Sequence, residues 1–171
     1  MHLNIEIKAK TQNQEAIRVV LTQHQAEFRG LDRQRDTYFH CPNGRLKLRQ
    51  GNIEKSLIFY QRSDQEGPKA SHVSLYHPED GPALEDLLSR AYGRRKEVVK
   101  EREIYFVDNV KIHLDRVESL GFFVEIEAID KEGHLGEERL QEQCRYFMEK
   151  FGIKEEDLIA LSYSDMVKGM D

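Results

Sequence analysis

The sequence predicts a mostly antiparallel α+β domain, and three observations predict it. Apolar and polar residues alternate with period two along most of the chain, as in strands with one covered and one polar face. Short turn-forming stretches such as "CPNG" at 41–44 separate many of these runs, which favours antiparallel neighbours. A few segments switch to helical spacing between the strands, the order of an α+β domain.

The elements follow in order. Residues 2–10 alternate strictly and read as a strand. In 12–27, Ile17, Val20, Leu21 and His24 lie near one stripe and predict a helix. Residues 33–40 form a strand, and 45–50 pairs with 56–62 in a hairpin around Gly51–Asn52. "SDQEGPK" at 63–69 is polar, contains Gly-Pro and reads as a mobile loop. A strand at 70–77 ends at "PEDGP", where Pro82 can open a helix running to about Tyr92. Residues 94–107 read as a long strand, turn at Asp108–Asn109, and continue as "KIHLDRV" and "FFVEIEAI". Residues 136–150 place Leu140, Cys144 and Phe147 on one helical side, and a short helix starts near Lys154.

At 171 residues the chain suits a single domain over 1–171. Charged residues are 33% and hydrophobic ones 39%, so a core is affordable despite the charge. A net charge of −5 argues against a nucleic-acid partner held by a global basic field. No apolar run approaches the roughly 18 residues of a membrane span, and the N-terminus has no apolar signal core. Cys41 and Cys144 lie far apart without metal-type spacing, which predicts reduced thiols in a cytoplasmic protein.

The informative pattern is charge on one parity of strand after strand. Asn4, Glu6, Lys8 and Lys10 share a face; so do Arg45, Lys47 and Arg49; Tyr60 and Arg62; Lys100 and Arg102; Lys111, His113 and Asp115; and Glu125 and Glu127. A solvated sheet face explains any one strand. It does not explain the segregation of sign, with cations on the middle strands and carboxylates on the first and last two. A site with two zones does. Lys8, Lys47, Arg49, Arg62, Lys100, Arg102 and Lys111 form a cradle that needs an anion, and a polyphosphate supplies one. Glu6, Asp115, Glu125 and Glu127 form a carboxylate zone of oxygen donors, suited to Mg²⁺ or Mn²⁺ rather than zinc.

These residues carry a resemblance. "NIEIK" resembles the E-x-E-x-K signature of the CYTH, or triphosphate tunnel metalloenzyme, superfamily, with Asn4 in place of the first carboxylate. "DTYFHCPNGRLKLR", "LIFYQRSDQEGPKAS", "VVKEREIY", "VKIHLDRVESLGFFVEIEA" and "SYSDM" resemble its class IV adenylyl cyclase branch, in order and spacing, from about residue 3 to 167. The resemblance implies an eight-stranded antiparallel β-barrel forming a tunnel, with a charged lumen and helices packed outside. It implies a divalent metal and a nucleotide or other triphosphate as substrate. Glu6, Asp115, Glu125 and Glu127 would be the catalytic metal-side carboxylates. Lys8, Lys47, Arg49, Arg62, Lys100, Arg102 and Lys111 would bind phosphate, joined by Lys69 of the Gly-Pro loop and by His113.

His113 reads equally well as a hydrogen-bonded structural residue, and Tyr163 as a packing residue of the C-terminal tail. Two reactions fit one cradle: cyclisation of ATP to 3′,5′-cyclic AMP with loss of pyrophosphate, or hydrolysis of inorganic or thiamine triphosphate. The likeness of "IHLDRVESLGFFVEIE" to the cyclase branch favours the first. A non-catalytic triphosphate binder is a third reading. The sequence leaves open a homodimer.

Overall fold

Eight strands close into a barrel in the order β1-β5-β4-β3-β2-β6-β7-β8, every neighbouring pair antiparallel. They are β1 (His2–Lys10), β2 (Glu27–Phe39), β3 (Arg45–Gln50), β4 (Lys55–Arg62), β5 (Lys69–Tyr76), β6 (Arg94–Val107), β7 (Val110–Val117) and β8 (Gly121–Asp130). Outside lie α1 (Gln14–Gln23), α2 (Gly81–Tyr92), α3 (Gly136–Lys150) and the short α4 (Tyr163–Met166). This computed structural model describes residues 2–62 and 64–167. Met1, Ser63 at the head of the expected 63–69 loop, and the last four residues of the expected 1–171 domain lie outside the described residues.

The core sits outside the barrel wall. Ile5 and Ile7 of β1, Ile112 and Leu114 of β7, and Val124 and Ile126 of β8 point outward and are at most 2% exposed. They pack against Ile17 and Leu21 of α1 and Leu140, Cys144 and Phe147 of α3. A second cluster joins Phe39 and Leu48 to Leu88 of α2. Because strand side chains alternate, covering one parity with helices leaves the other facing the lumen. The polar parity is therefore enclosed by barrel closure alone.

Helix ends follow local chemistry. Asn13 caps α1 by accepting from the Ala16 amide, and Asp80 caps α2 by accepting from Ala83. Asp130 at the end of β8 accepts from the amides of Gly133, His134, Leu135 and Gly136 and so seats the start of α3. Helix α1 stops at Gln23, earlier than the spacing predicts, because Gln25 turns to φ +53°. The residues after it enter β2, which begins at Glu27 rather than 33 and carries a bulge between Phe28 and Gly30. The exposed charges of its early half hide its period. The short helix expected near Lys154 is a single 3₁₀ turn, Glu155–Asp157. No helix among the described residues is long and apolar enough to cross a membrane.

Residues 158–167 cross the barrel end formed by the C-terminal end of β1 and the starts of β3, β5 and β6. Leu158 bridges Ala9, and the Ile159 amide donates to the Lys8 carbonyl. Asp165 accepts from Arg45 and Arg95, and Lys96 donates to the Val167 carbonyl.

Candidate functional site

A cavity of about 540 Å³ occupies the lumen; Ser162 and Tyr163 of the tail line one end, and the exposed Ile53 and Leu75 mark the other as its mouth. The strands build it unevenly. β3, β6, β7, β8 and β1 supply most of the charge; β4 adds Lys55 and Arg62 at its two ends, and between them β4 and β5 contribute Ile58, Tyr60, Val73 and Leu75. Ile53, Phe106 and Ile129 continue the apolar wall near the mouth. Among the lining residues, cations outnumber carboxylates.

Two fully buried aspartates organise the cations from behind. Asp36 on β2 accepts both forks of Arg49, Nε and Nη2 at 2.9 Å each, and takes Lys100 at 2.9 Å and Lys47 at 3.2 Å. Burial alone would raise its carboxyl, but Arg49, Lys100 and Lys47 hold it well below the usual carboxylate range. Asp115 on β7 accepts both forks of Arg102, at 2.7 and 2.6 Å, and the Tyr163 hydroxyl at 2.7 Å. Neither aspartate lines the cavity. Each fixes the direction of the cations in front of it, which is how a site is preorganised for an anion.

Lys100 shows the cost of this crowding. Its burial pushes the ammonium down to about 7, against the pull of Asp36, with Arg102 and Arg49 adding to the downward shift. His113 is pushed down to about 4 by burial and the nearby Arg102. It is neutral at pH 7, and Nδ1 donates to Glu125 at 3.2 Å. Nε2 is buried without a hydrogen-bond partner among the described residues. Glu125 also takes Lys8 at 3.3 Å and Arg102 at 3.0 Å. Burial would raise its carboxyl, but Arg102 and Lys8 hold it well below the usual range.

The remaining carboxylates face each other across β1 and β8, where Glu6 is the register partner of Glu127. Glu6 pairs with Arg62, and Asn4 donates to Glu127. Among the described residues, the buried Asn4 carbonyl oxygen has no hydrogen-bond partner. Two facing carboxylates repel unless a cation lies between or beside them. With an orphaned amide oxygen beside them, this donor set fits a hard divalent ion. Among the described residues, no three His, Cys, Asp or Glu side chains already form a metal-sized group.

Of the residues singled out from sequence, Glu6, Glu125, Glu127, Lys8, Lys47, Arg49, Arg62, Lys100, Arg102, Lys111 and His113 line this one cavity. Asp115 lies behind it, held by Arg102 and Tyr163. Lys69 does not line it: the ammonium donates to the carbonyls of Ala160 at 2.9 Å and of Ile159 and Gln65 at 3.3 Å. Burial, with Arg62 and Lys8 nearby, pushes it down to about 7. Sequence reasoning missed Asp36 and Glu54. Asp36 shares the parity of Asp32, Gln34 and Tyr38, so a face assignment for β2 would have found it. Glu54 sits in a hairpin turn, where nothing in the sequence separates it from a solvated charge.

The CYTH domain profile matches residues 2–163. Comparison with curated protein sequences gave no match. Among solved structures, the PH1012 protein of Pyrococcus horikoshii OT3 is 26% identical, with a TM-score of 0.81 and coverage of 98% of this chain and 100% of that one. A conserved hypothetical protein of Pyrococcus furiosus is 22% identical, with a TM-score of 0.79 over 96% and 99% of the two chains. A candidate adenylate cyclase of Vibrio parahaemolyticus is 18% identical, with a TM-score of 0.78 over 96% and 97%. The last two similarities speak for the fold. The family match spans nearly the whole chain and the closed barrel has the charged lumen that the sequence resemblance implied, so the chain belongs to the CYTH domain family.

Proposed function

We propose that the protein is a metal-dependent enzyme acting on a nucleoside triphosphate, with cyclisation of ATP to 3′,5′-cyclic AMP and pyrophosphate as its reaction. The observation that carries the substrate class is the divided cavity. Cations set on buried aspartates line its deeper part, and Ile53, Leu75, Phe106 and Ile129 line the part near the mouth. An inorganic polyphosphate leaves that apolar wall unused, whereas a nucleoside covers it.

Arg49, Lys47, Lys100, Arg102 and Lys8 bind and orient the phosphate chain, and the charge they hold in place stabilises the negative charge that develops on the leaving pyrophosphate. Glu6, Glu125 and Glu127, with the Asn4 oxygen, would hold Mg²⁺ or Mn²⁺. When bound, the ion supplies charge neutralisation at the phosphates and a lowered pKa at the attacking hydroxyl. With Glu6 on the ion, Arg62, which pairs with Glu6 here, would be free to bind phosphate.

Triphosphate hydrolysis is the second reading. Ile53 and Leu75 at the mouth are 43% and 48% exposed, so water has access to the same cradle. Incubation with ATP, tripolyphosphate and thiamine triphosphate, with Mg²⁺ or Mn²⁺, separates the two by product. Cyclic AMP with pyrophosphate is the expected result; orthophosphate without cyclic nucleotide replaces it with the second reading. Metal-dependent binding without any turnover makes the protein a binder.

A further inference from the structure

Glu54 has an unusual place in this cavity. It sits in the turn between β3 and β4, and that turn is bolted to β2. Asp32 accepts from the Ile53 amide at 2.8 Å and the Glu54 amide at 2.9 Å. Asn52 accepts from the Arg33 amide and donates to the Leu31 carbonyl. The Gly51 amide closes the turn on the Glu54 carbonyl at 2.9 Å. A side chain at Gly51 is excluded, since a Cβ there would lie 2.5 Å from Asp32 Oδ1. The backbone is thus fixed, and only the Glu54 side chain has freedom.

That side chain reaches into the lumen. Its carboxylate accepts from Arg49 Nη1 at 2.8 Å, from Gln34 at 3.0 Å and from Lys111. Arg49 has already committed Nε and Nη2 to Asp36 behind it, so Glu54 takes its cavity-side nitrogen. Among the described residues, Lys111 has no other carboxylate partner. Glu54 therefore holds the place on Arg49 and Lys111 that a phosphate oxygen would take.

We propose that Glu54 is a built-in competitor for the phosphate cradle, and that it sets a charge threshold for ligands. The inference rests on the triphosphate reading above. A carboxylate tethered this way competes at an effective concentration of about millimolar or more. An ion that engages only Arg49 and Lys111 cannot displace it. A triphosphate that also engages Lys47 and Lys100 can, and the freed carboxylate swings on its rotatable side chain toward the mouth. The device selects long polyphosphates over orthophosphate and monophosphates, because only the longer chain reaches the further cations whose contacts offset the displacement of Glu54.

The test is calorimetric titration of metal-free protein with tripolyphosphate and with orthophosphate, for wild type, Glu54→Gln and Glu54→Asp. Expected are tripolyphosphate binding to wild type, at least about tenfold tighter binding in Glu54→Gln, and orthophosphate binding that only the variants show. Glu54→Asp keeps the charge but shortens the reach and falls between; it carries the test if thermal melting shows Glu54→Gln unfolded. Unchanged or weaker tripolyphosphate binding in the folded variants overturns the competitor and leaves the triphosphate reading intact. Absence of binding in wild type and variants alike, with and without Mn²⁺, removes the triphosphate reading itself.

Discussion

At the scale of single residues, the buried aspartates decide what the cations can do. Arg102 is 2% exposed and Asp115 is fully buried. Removing one member of such a pair costs about 3–5 kcal/mol, because the other charge stays behind. Arg102→Ala is therefore expected to lower stability by that amount as well as weaken triphosphate binding; chemical denaturation beside calorimetry checks both. A variant as stable as wild type contradicts the assigned pairing. Lys100 carries a pH prediction. Its ammonium sits at about 7 without ligand, and a bound phosphate raises it. Between the free and bound values the complex holds more protons than its parts. Affinity for tripolyphosphate should then fall as pH rises from 7 to 9, with proton uptake at pH 8. Titration in buffers of different ionisation enthalpy reads that uptake directly, and a value of zero or proton release refutes it.

At the scale of elements, the C-terminal tail behaves as a cover and Lys69 as its latch. Its ammonium reaches two tail carbonyls, at Ile159 and Ala160, and one at Gln65 of the preceding loop. A methionine there keeps the bulk and removes all three donors. Lys69→Met is expected to speed amide hydrogen exchange at 159–167 by about tenfold, the loss of roughly 1.4 kcal/mol of local protection. Exchange in α3 should not change. Equal exchange in the tail of both proteins shows that Tyr163 and Asp165 hold it without Lys69.

At the scale of the whole molecule, the barrel reverses the usual arrangement in which a small barrel buries its apolar side chains inside. Neighbours on one strand should respond in opposite ways. Ile126 points outward into the helix-covered core and is fully buried, so Ile126→Ala is expected to lose about 2–5 kcal/mol. Glu127 points into the cavity. Glu127→Gln, which keeps an acceptor for Asn4, should lose less stability than Ile126→Ala, about 1 kcal/mol or less, while weakening Mn²⁺ binding at least about tenfold. Denaturant melts and Mn²⁺ titration by electron paramagnetic resonance test the pair. A large stability loss in Glu127→Gln would place the core on the wrong side of the wall.

Alternation within single strands was enough to read β1, β3, β7 and β8 and to separate Ile5, Ile7, Leu114 and Ile126 from Glu6, Lys8, His113 and Glu125. Those properties are local, since neighbouring side chains on a strand must take opposite faces. Strand neighbours are not local. That Asp36 stands behind Lys47, Arg49 and Lys100 follows from β2 lying between β3 and β6, and no spacing along the chain encodes it. The same holds for Lys69, whose partners lie about ninety residues away in the tail, and for Glu54, whose charge becomes part of the site because Asp32 pins its turn against the lumen. Asn4 shows both levels at once. Its position on the charged parity is legible in "NIEIK", but only closure of β1 onto β8 sets its amide against Glu127 and leaves its carbonyl oxygen without a partner among the described residues.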